Sequence, residues 1–226
     1  MNRFIILLLL MNIHSVYAQK VAFEYTLGYG SYQLHDVEEF QRKMVNSIPI
    51  ALTKNSFFPN YWIHSGTVGY ISGQHYPGVN LSFLSTGSRM TTADYSGSYE
   101  LDLILRGIRL GGFYRYYINS IDINKSPHFF VQISSGVLFS HMDIKEKLNV
   151  GRYTNNERLH IYSKGTYVEP SVGISHFFTN WLSSSFLCGY EFDFGGTLKH
   201  EGQELQPKVK MKWNGIRTYL TVSVYL

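Results

Sequence analysis

From Val21 to Tyr29 the apolar residues Val21, Phe23, Tyr25, Leu27 and Tyr29 alternate with Ala22, Glu24, Thr26 and Gly28. That period of two is the signature of a strand with one apolar and one small or polar face. It recurs at Phe129, Val131, Ile133, Ser135, Val137 and Phe139, set against Gln132, Ser134, Gly136 and Ser140. It returns in Leu182, Ser184, Phe186, Cys188, Tyr190, Phe192 and Phe194, opposite Ser183, Ser185, Gly189, Glu191, Asp193 and Gly195. Weaker copies run from Tyr61 to Ile71, from Val79 to Ser85, through Ile108, Leu110, Gly112, Tyr114 and Tyr116, and through Val168, Pro170, Val172 and Ile174. The last strand closes on Leu220, Val222, Val224 and Leu226.

Eight strands are therefore predicted. An even number with no unpaired edge is what a closed barrel in hydrocarbon requires, so the expected class is all-β, an eight-stranded antiparallel up-and-down transmembrane β-barrel. The intervening segments alternate in length. Leu34 to Ser56, Gly87 to Gly97, Lys145 to Arg158 and Gly196 to Pro207 read as long polar outer loops, whereas Ser72 to Gly78, Asn119 to Pro127 and Thr179-Asn180 read as short turns. This asymmetry puts both termini on the periplasmic side. Pro170 removes a ladder donor and predicts a bulge. Lys208, Lys210, Lys212 and Arg106 share the apolar phase, but they lie beyond the roughly 9 to 11 residues that a tilted strand needs to cross a bilayer, and belong to strand extensions above it.

Composition agrees with an inside-out barrel. Aromatic residues make up 16% of the 226, with 18 Tyr and 15 Phe, while charged residues are only 16%, against about 25% in a typical soluble domain. The formal net charge of +4 comes from scattered basic residues, which predicts no nucleic-acid partner. At the N-terminus, Arg3, the apolar run Phe4 to Met11 and the small residues of Val16-Tyr17-Ala18 read as a signal peptide over residues 1–18, cut before Gln19. Residues 19–226 then form the barrel domain. The single cysteine, Cys188, cannot form an internal disulfide.

With the apolar phase outward, Glu24, Arg109, Arg115, Gln132, Glu169, Glu191, Asp193 and Arg217 point into the lumen. Eight strands leave an interior that side chains fill, so the charged members of this set are expected to neutralise one another; an ion path or a catalytic carboxylate pair is the sharper reading of the same residues. In the first loop Asp36 and Glu39 cap a turn that places Val37, Phe40 and Met44 on one helical face, continued by Ile48 and Ile50. That short helix is either a lid on the barrel mouth or a surface for a partner. Near the outer rim, His141 and Asp143 share a face but Ser140 does not, and His160 and Ser163 are likewise opposed, so no nucleophile, base and acid converge. No His-x-x-x-His pair is present, and no cofactor is expected.

The closing segment Leu220-Thr-Val-Ser-Val-Tyr-Leu226, with Ser85-Thr-Gly-Ser-Arg89, Tyr95-Ser-Gly-Ser-Tyr99 and Val168-Glu-Pro-Ser-Val-Gly173, resembles small outer-membrane β-barrel proteins of the porin-family, OmpX- and OmpW-like group. The resemblance implies a fold and a bacterial outer-membrane location without a single activity. The expectation is a non-enzymatic protein whose loops contact surface lipid or a partner envelope protein. Arg89, Lys199 and the lysines from 208 to 212 make the outer rim basic, suited to lipopolysaccharide phosphates. A narrow pore or a barrel for small apolar ligands is the alternative, and an enzyme at the rim the third.

Overall fold

The computed structural model describes residues 20–32, 34, 37–39, 42–43, 53–56, 58–95, 97–119, 121, 127–150, 153–200, 203–204 and 210–226. The expected leader, and Phe40, Met44, Ile48 and Ile50 of the first loop, lie outside these. Eight long strands are present among the described residues: β1 (Lys20–Gly30), β2 (Tyr61–Ile71), β3 (His75–Asp94), β4 (Gly97–Tyr117), β5 (His128–Val150), β6 (Tyr153–Phe177), β7 (Leu182–Asp193) and β8 (Gly215–Tyr225). Each pairs antiparallel with its neighbour in sequence, and β8 returns to β1 to close the ring. Val21 and Leu226 exchange backbone hydrogen bonds of 3.2 and 2.8 Å at the seam, so the start of β1 and the end of β8 share one end of the barrel.

The alternation explains the two faces. Val79, Val172 and Leu220 are 60, 59 and 58% exposed on the outside, while Glu24, Arg109, Arg115 and Arg217 are buried inside. The wall is uneven in height. Strands β1, β2, β7 and β8 have 11, 11, 12 and 11 residues, but β3 to β6 have 20, 21, 23 and 25. Roughly ten extra residues at about 3.3 Å each make the strands of this four-stranded wall some 30 Å longer than those opposite.

Two segments read from the sequence as loops are thus strands. Strand β3 runs to Asp94 and β4 starts at Gly97, and β5 runs to Val150 and β6 starts at Tyr153. The reason is an inversion of the apolar phase. Below Gly107 on the barrel wall Ile108, Leu110 and Tyr114 face out; above it Tyr99, Leu101, Leu103 and Leu105 face in and are buried. Met142, Ile144 and Ile161 do the same on β5 and β6. The charged residues left on the outside made these stretches look like polar loops.

The inward apolar face of the wall is covered from both ends of the chain. Leu34, Val37 and Phe58 of the first connection and Leu198, Met211 and Trp213 of the last are buried in the same core. The strand Thr53–Ser56 pairs with β3, and Lys199–His200 pairs with β6. At the low end, aromatic rings fill the lumen: Tyr76 meets Phe113 edge-on at 5.1 Å, Tyr117 meets Phe130 at 5.4 Å, and Phe177 stacks on Tyr225 at 5.4 Å.

The bulge expected at Pro170 is absent. Register runs unbroken from Val168↔Phe192 to Ser171↔Gly189, while the ladder to β7 skips Glu169 and Pro170 and the pairing of Pro170 with Ile133 of β5 is kept. The missing N–H therefore interrupts one ladder locally instead of inserting a residue.

Close packing inside the ring can be tested at Gly28, where a Cβ would lie 2.4 Å from the Tyr219 ring and 3.2 Å from the Ile63 Cβ. Gly28→Val should destabilise the barrel by about 1–3 kcal/mol through overpacking, seen as a lower urea midpoint for the vesicle-folded protein. An unchanged midpoint would show that the Tyr219 ring has room to move.

Candidate functional site

The lumen charges segregate into two neutral layers. In the lower layer Arg115, on β4, donates to both oxygens of Glu24 on β1 at 2.9 and 3.0 Å, and its Nε donates to Gln132 Oε1 at 2.8 Å. Glu24 also accepts from Ser223 Oγ at 3.0 Å. The guanidinium lies 4.5 Å from the Phe130 ring centre and 4.9 Å from that of Tyr76, so the cation is held between aromatic faces.

In the upper layer Arg109 Nη1 donates to Glu169 Oε2 at 2.7 Å and to Glu191 Oε2. These two glutamates come from the interrupted stretch of the β6–β7 ladder. Arg109 Nη2 donates to Ser82 Oγ and Tyr219 OH, each at 3.3 Å, and Tyr219 OH donates to Glu169 at 3.0 Å. Arg217 lies with its Nε 3.5 Å from Glu191, and donates to the carbonyls of Ser31 and Trp213. Two arginines thus face two glutamates.

Asp193 behaves differently from the other six charged residues assigned to the lumen. It accepts the backbone N–H groups of Gly195 and Trp213, both at 2.9 Å, and so fixes the turn that follows β7. Between the layers lies a cavity of about 40 Å³ lined by Thr67, Asn80, Gln132, Ser134 and both arginines. Since one water needs about 10–15 Å³ of such volume, this holds roughly three waters and no organic ligand.

At the tall end of the barrel, Val37 is fully buried, with Leu34 in the same core, so this member of the first-loop face packs inward. Lys43 and Glu39 pair at 2.9 Å one helical turn apart, and the hydrogen bond from Lys43 holds the Glu39 carboxyl below its usual range. Above the apolar belt, Asp143 does not join His141: it takes His160 Nδ1 at 2.5 Å and stands 3.7 Å from Arg106. Ser140 faces the lumen and accepts from the Trp213 indole at 2.9 Å. Arg89 pairs with Asp102 through two hydrogen bonds of 2.7 and 3.0 Å. On the inner face, burial, together with the negative charge of Glu146, pushes the Tyr99 hydroxyl pKa up. Sequence reading missed Trp213, Tyr32, Tyr219 and Ser31, which hold the arginines. The in-phase position of Tyr219 on β8 was the one available signal.

No family model matches this chain, and no curated protein sequence matches it. Among solved structures, it is similar to the outer membrane protein OprG from Pseudomonas aeruginosa, at 9% identity over 92% of this chain and 96% of that one, with a TM-score of 0.45. The N-terminal β-barrel domain of Pseudomonas aeruginosa OprF is 11% identical over 91% and 97%, with a TM-score of 0.37. Neisserial surface protein A is 11% identical over 93% and 97%, with a TM-score of 0.36. Resemblance at this level assigns neither an activity nor a partner.

Proposed function

We propose that this chain is an integral, non-enzymatic barrel of the bacterial outer membrane, exported behind residues 1–18, with both termini periplasmic. Its specific role lies at the cell surface, in the tall β3–β6 wall and the connections packed inside it, through contact with outer-leaflet lipid or with another envelope protein. The observation that carries the reading is the pairing of an apolar outside with a closed inside. From Phe129 to Phe139 the outward residues of β5 form a belt of the length a tilted transmembrane strand needs. Trp181 and Phe178 flank the belt at the low end, and Tyr29 and Trp62 at the other, all exposed. The lumen beneath the surface head is filled by two neutral ionic layers and an aromatic plug.

A lumen built this way passes no bulk water, since aqueous channels are found in barrels of about 16–18 strands. The full mature chain reconstituted in planar bilayers should give no stable, large conductance. Removing residues 36–45 should leave it silent, because the arginine layers lie below the first connection. Steady porin-sized steps would overturn the closed-lumen assignment, and steps that begin only after the deletion would make that connection a lid over a transport path.

A further inference from the structure

One outward row crosses five strands just above the apolar belt. Ser85, Arg106, His141 and Tyr162 are register partners on β3 to β6, and Lys199 continues the row as the partner of Tyr162. The row beneath it reads Phe83, Ile108, Phe139 and Lys164. Arg106, His141 and Lys199 therefore stand directly over an apolar floor whose Phe83, Ile108 and Phe139 are 44, 46 and 40% exposed, and Lys164 closes the floor row beside Phe139.

We propose that Arg106, His141, Lys164 and Lys199 bind the phosphate of a phosphorylated glycolipid of the outer leaflet, with its acyl chains lying on the apolar wall below. The proposal rests on the outer-membrane reading above and names the lipid contact within it. Lys164 has the posture such a site needs, its ammonium 5.5 Å from the Phe139 ring centre, so that the stem covers the apolar surface and the charge stays at the interface. Arg106 presents a planar fork suited to phosphate oxygens, and its side chain is 55% exposed. Two carboxylates adjoin the row: Asp143 is taken up by His160 at 2.5 Å and lies 3.7 Å from Arg106, and Glu204 is the register partner of Lys199 at its far end.

The cations are also one-sided. At the upper ends of β8, β1 and β2 the outward residues are Ile216, Tyr29 and Trp62. Among the outward strand residues at this level the cations thus fall on the face where the sheet continues upward, while Lys210, also exposed, belongs to the connection between β7 and β8. A soluble anion gains nothing from the apolar floor, which a lipid would cover.

The test uses the full mature chain in detergent and native mass spectrometry with bisphosphorylated lipid A and its dephosphorylated form. The wild-type protein should retain the phosphorylated lipid preferentially. Arg106→Gln, Lys164→Gln and Lys199→Gln combined should weaken it on the order of a hundredfold, taking each cation near an anionic lipid surface as roughly a fivefold gain in affinity. Lys145→Gln with Arg158→Gln, about 13 Å farther up the same wall at the strand rise, should leave retention unchanged. If the triple variant fails to fold, as judged by its shift on gels before and after boiling, the single Arg106→Gln and Lys199→Gln proteins should each weaken retention about fivefold. Equal retention of both lipids, an unaffected triple variant, an equal loss in the control pair or displacement by free inorganic phosphate would each overturn the proposal. A wild-type chain that stays monomeric without detergent would instead remove the membrane reading beneath it.

Discussion

Replacing Glu24 by Ala should destabilise the barrel by about 3–5 kcal/mol, the usual consequence of leaving one member of a buried ion pair without its partner. Arg115 gives both of its terminal nitrogens to Glu24, and around it stand the Phe130, Tyr76 and Phe113 rings, the Tyr117 hydroxyl, which accepts from Nη1 at 3.4 Å, and the amide of Gln132. None of these carries a compensating negative charge. The paired change Glu24→Leu with Arg115→Met should recover most of the loss, because exchanging a whole buried ion pair for apolar groups of similar size is often neutral or stabilising. What is lost with the cation is its contact with the aromatic faces, worth about 0.5–2 kcal/mol. Urea titration of protein folded into vesicles measures both. A single substitution costing less than about 1 kcal/mol, or a double as damaging as the single, would mean that Arg115 has access to water. In planar bilayers the double variant should remain closed, since the Arg109, Glu169, Glu191 and Arg217 layer is untouched; large steps there would show that the lower layer alone seals the lumen.

The membrane half of this fold was legible because its chemistry repeats every two residues with a constant sense. Val21 through Tyr29 or Phe129 through Phe139 identify a strand and its outward face at once, and the opposite phase then names the lumen residues. Which carboxylate meets which arginine was not legible, since Arg109 reaches Glu169 and Glu191 across strands 60 and 82 residues away. That choice depends on register and stagger around the ring, and on backbone carbonyls such as those of Ser31 and Trp213. The tall wall was missed for a different reason. At Gly107 the rule reverses, and Leu101, Leu103 and Leu105 continue the period on the inner face while Arg89, Asp102, Lys145 and Arg158 take the outer one. The alternation was present throughout; what changed was the solvent on each side, lipid outside below and a packed protein interior inside above. Pro170 teaches the converse lesson. A residue unsuited to a ladder need not break it when the neighbouring strand, here β5, keeps the register.

Trp213→Ala should loosen the tall end of the barrel while leaving the membrane half intact. The indole is fully buried; its Nε1 donates to Ser140 at 2.9 Å, the Tyr32 ring meets it edge-on at 5.0 Å, and it converges with Leu84 and Leu138 over Gly107. Its own backbone is held separately, its N–H by Asp193 and its carbonyl by Arg217. Truncating a buried tryptophan typically costs about 3–5 kcal/mol. Here the loss falls on the core that joins the last connection to the wall, not on the closed ring of ladders or the lower ionic layer. Stability in such a structure is local, and the weakened unit opens first. Trypsin should therefore cut the variant faster at Lys199, Lys210 and Lys212 and in the first connection, while β1 to β8 stay protected and the protein still changes mobility on boiling. Trp213→Phe keeps most of the apolar volume but loses the donor to Ser140, so it should fall between the two. Unchanged cleavage in Trp213→Ala would show that the tall end is held by strand pairing alone, through Thr53–Ser56 on β3 and Lys199–His200 on β6, and that the inverted apolar face is not what organises it.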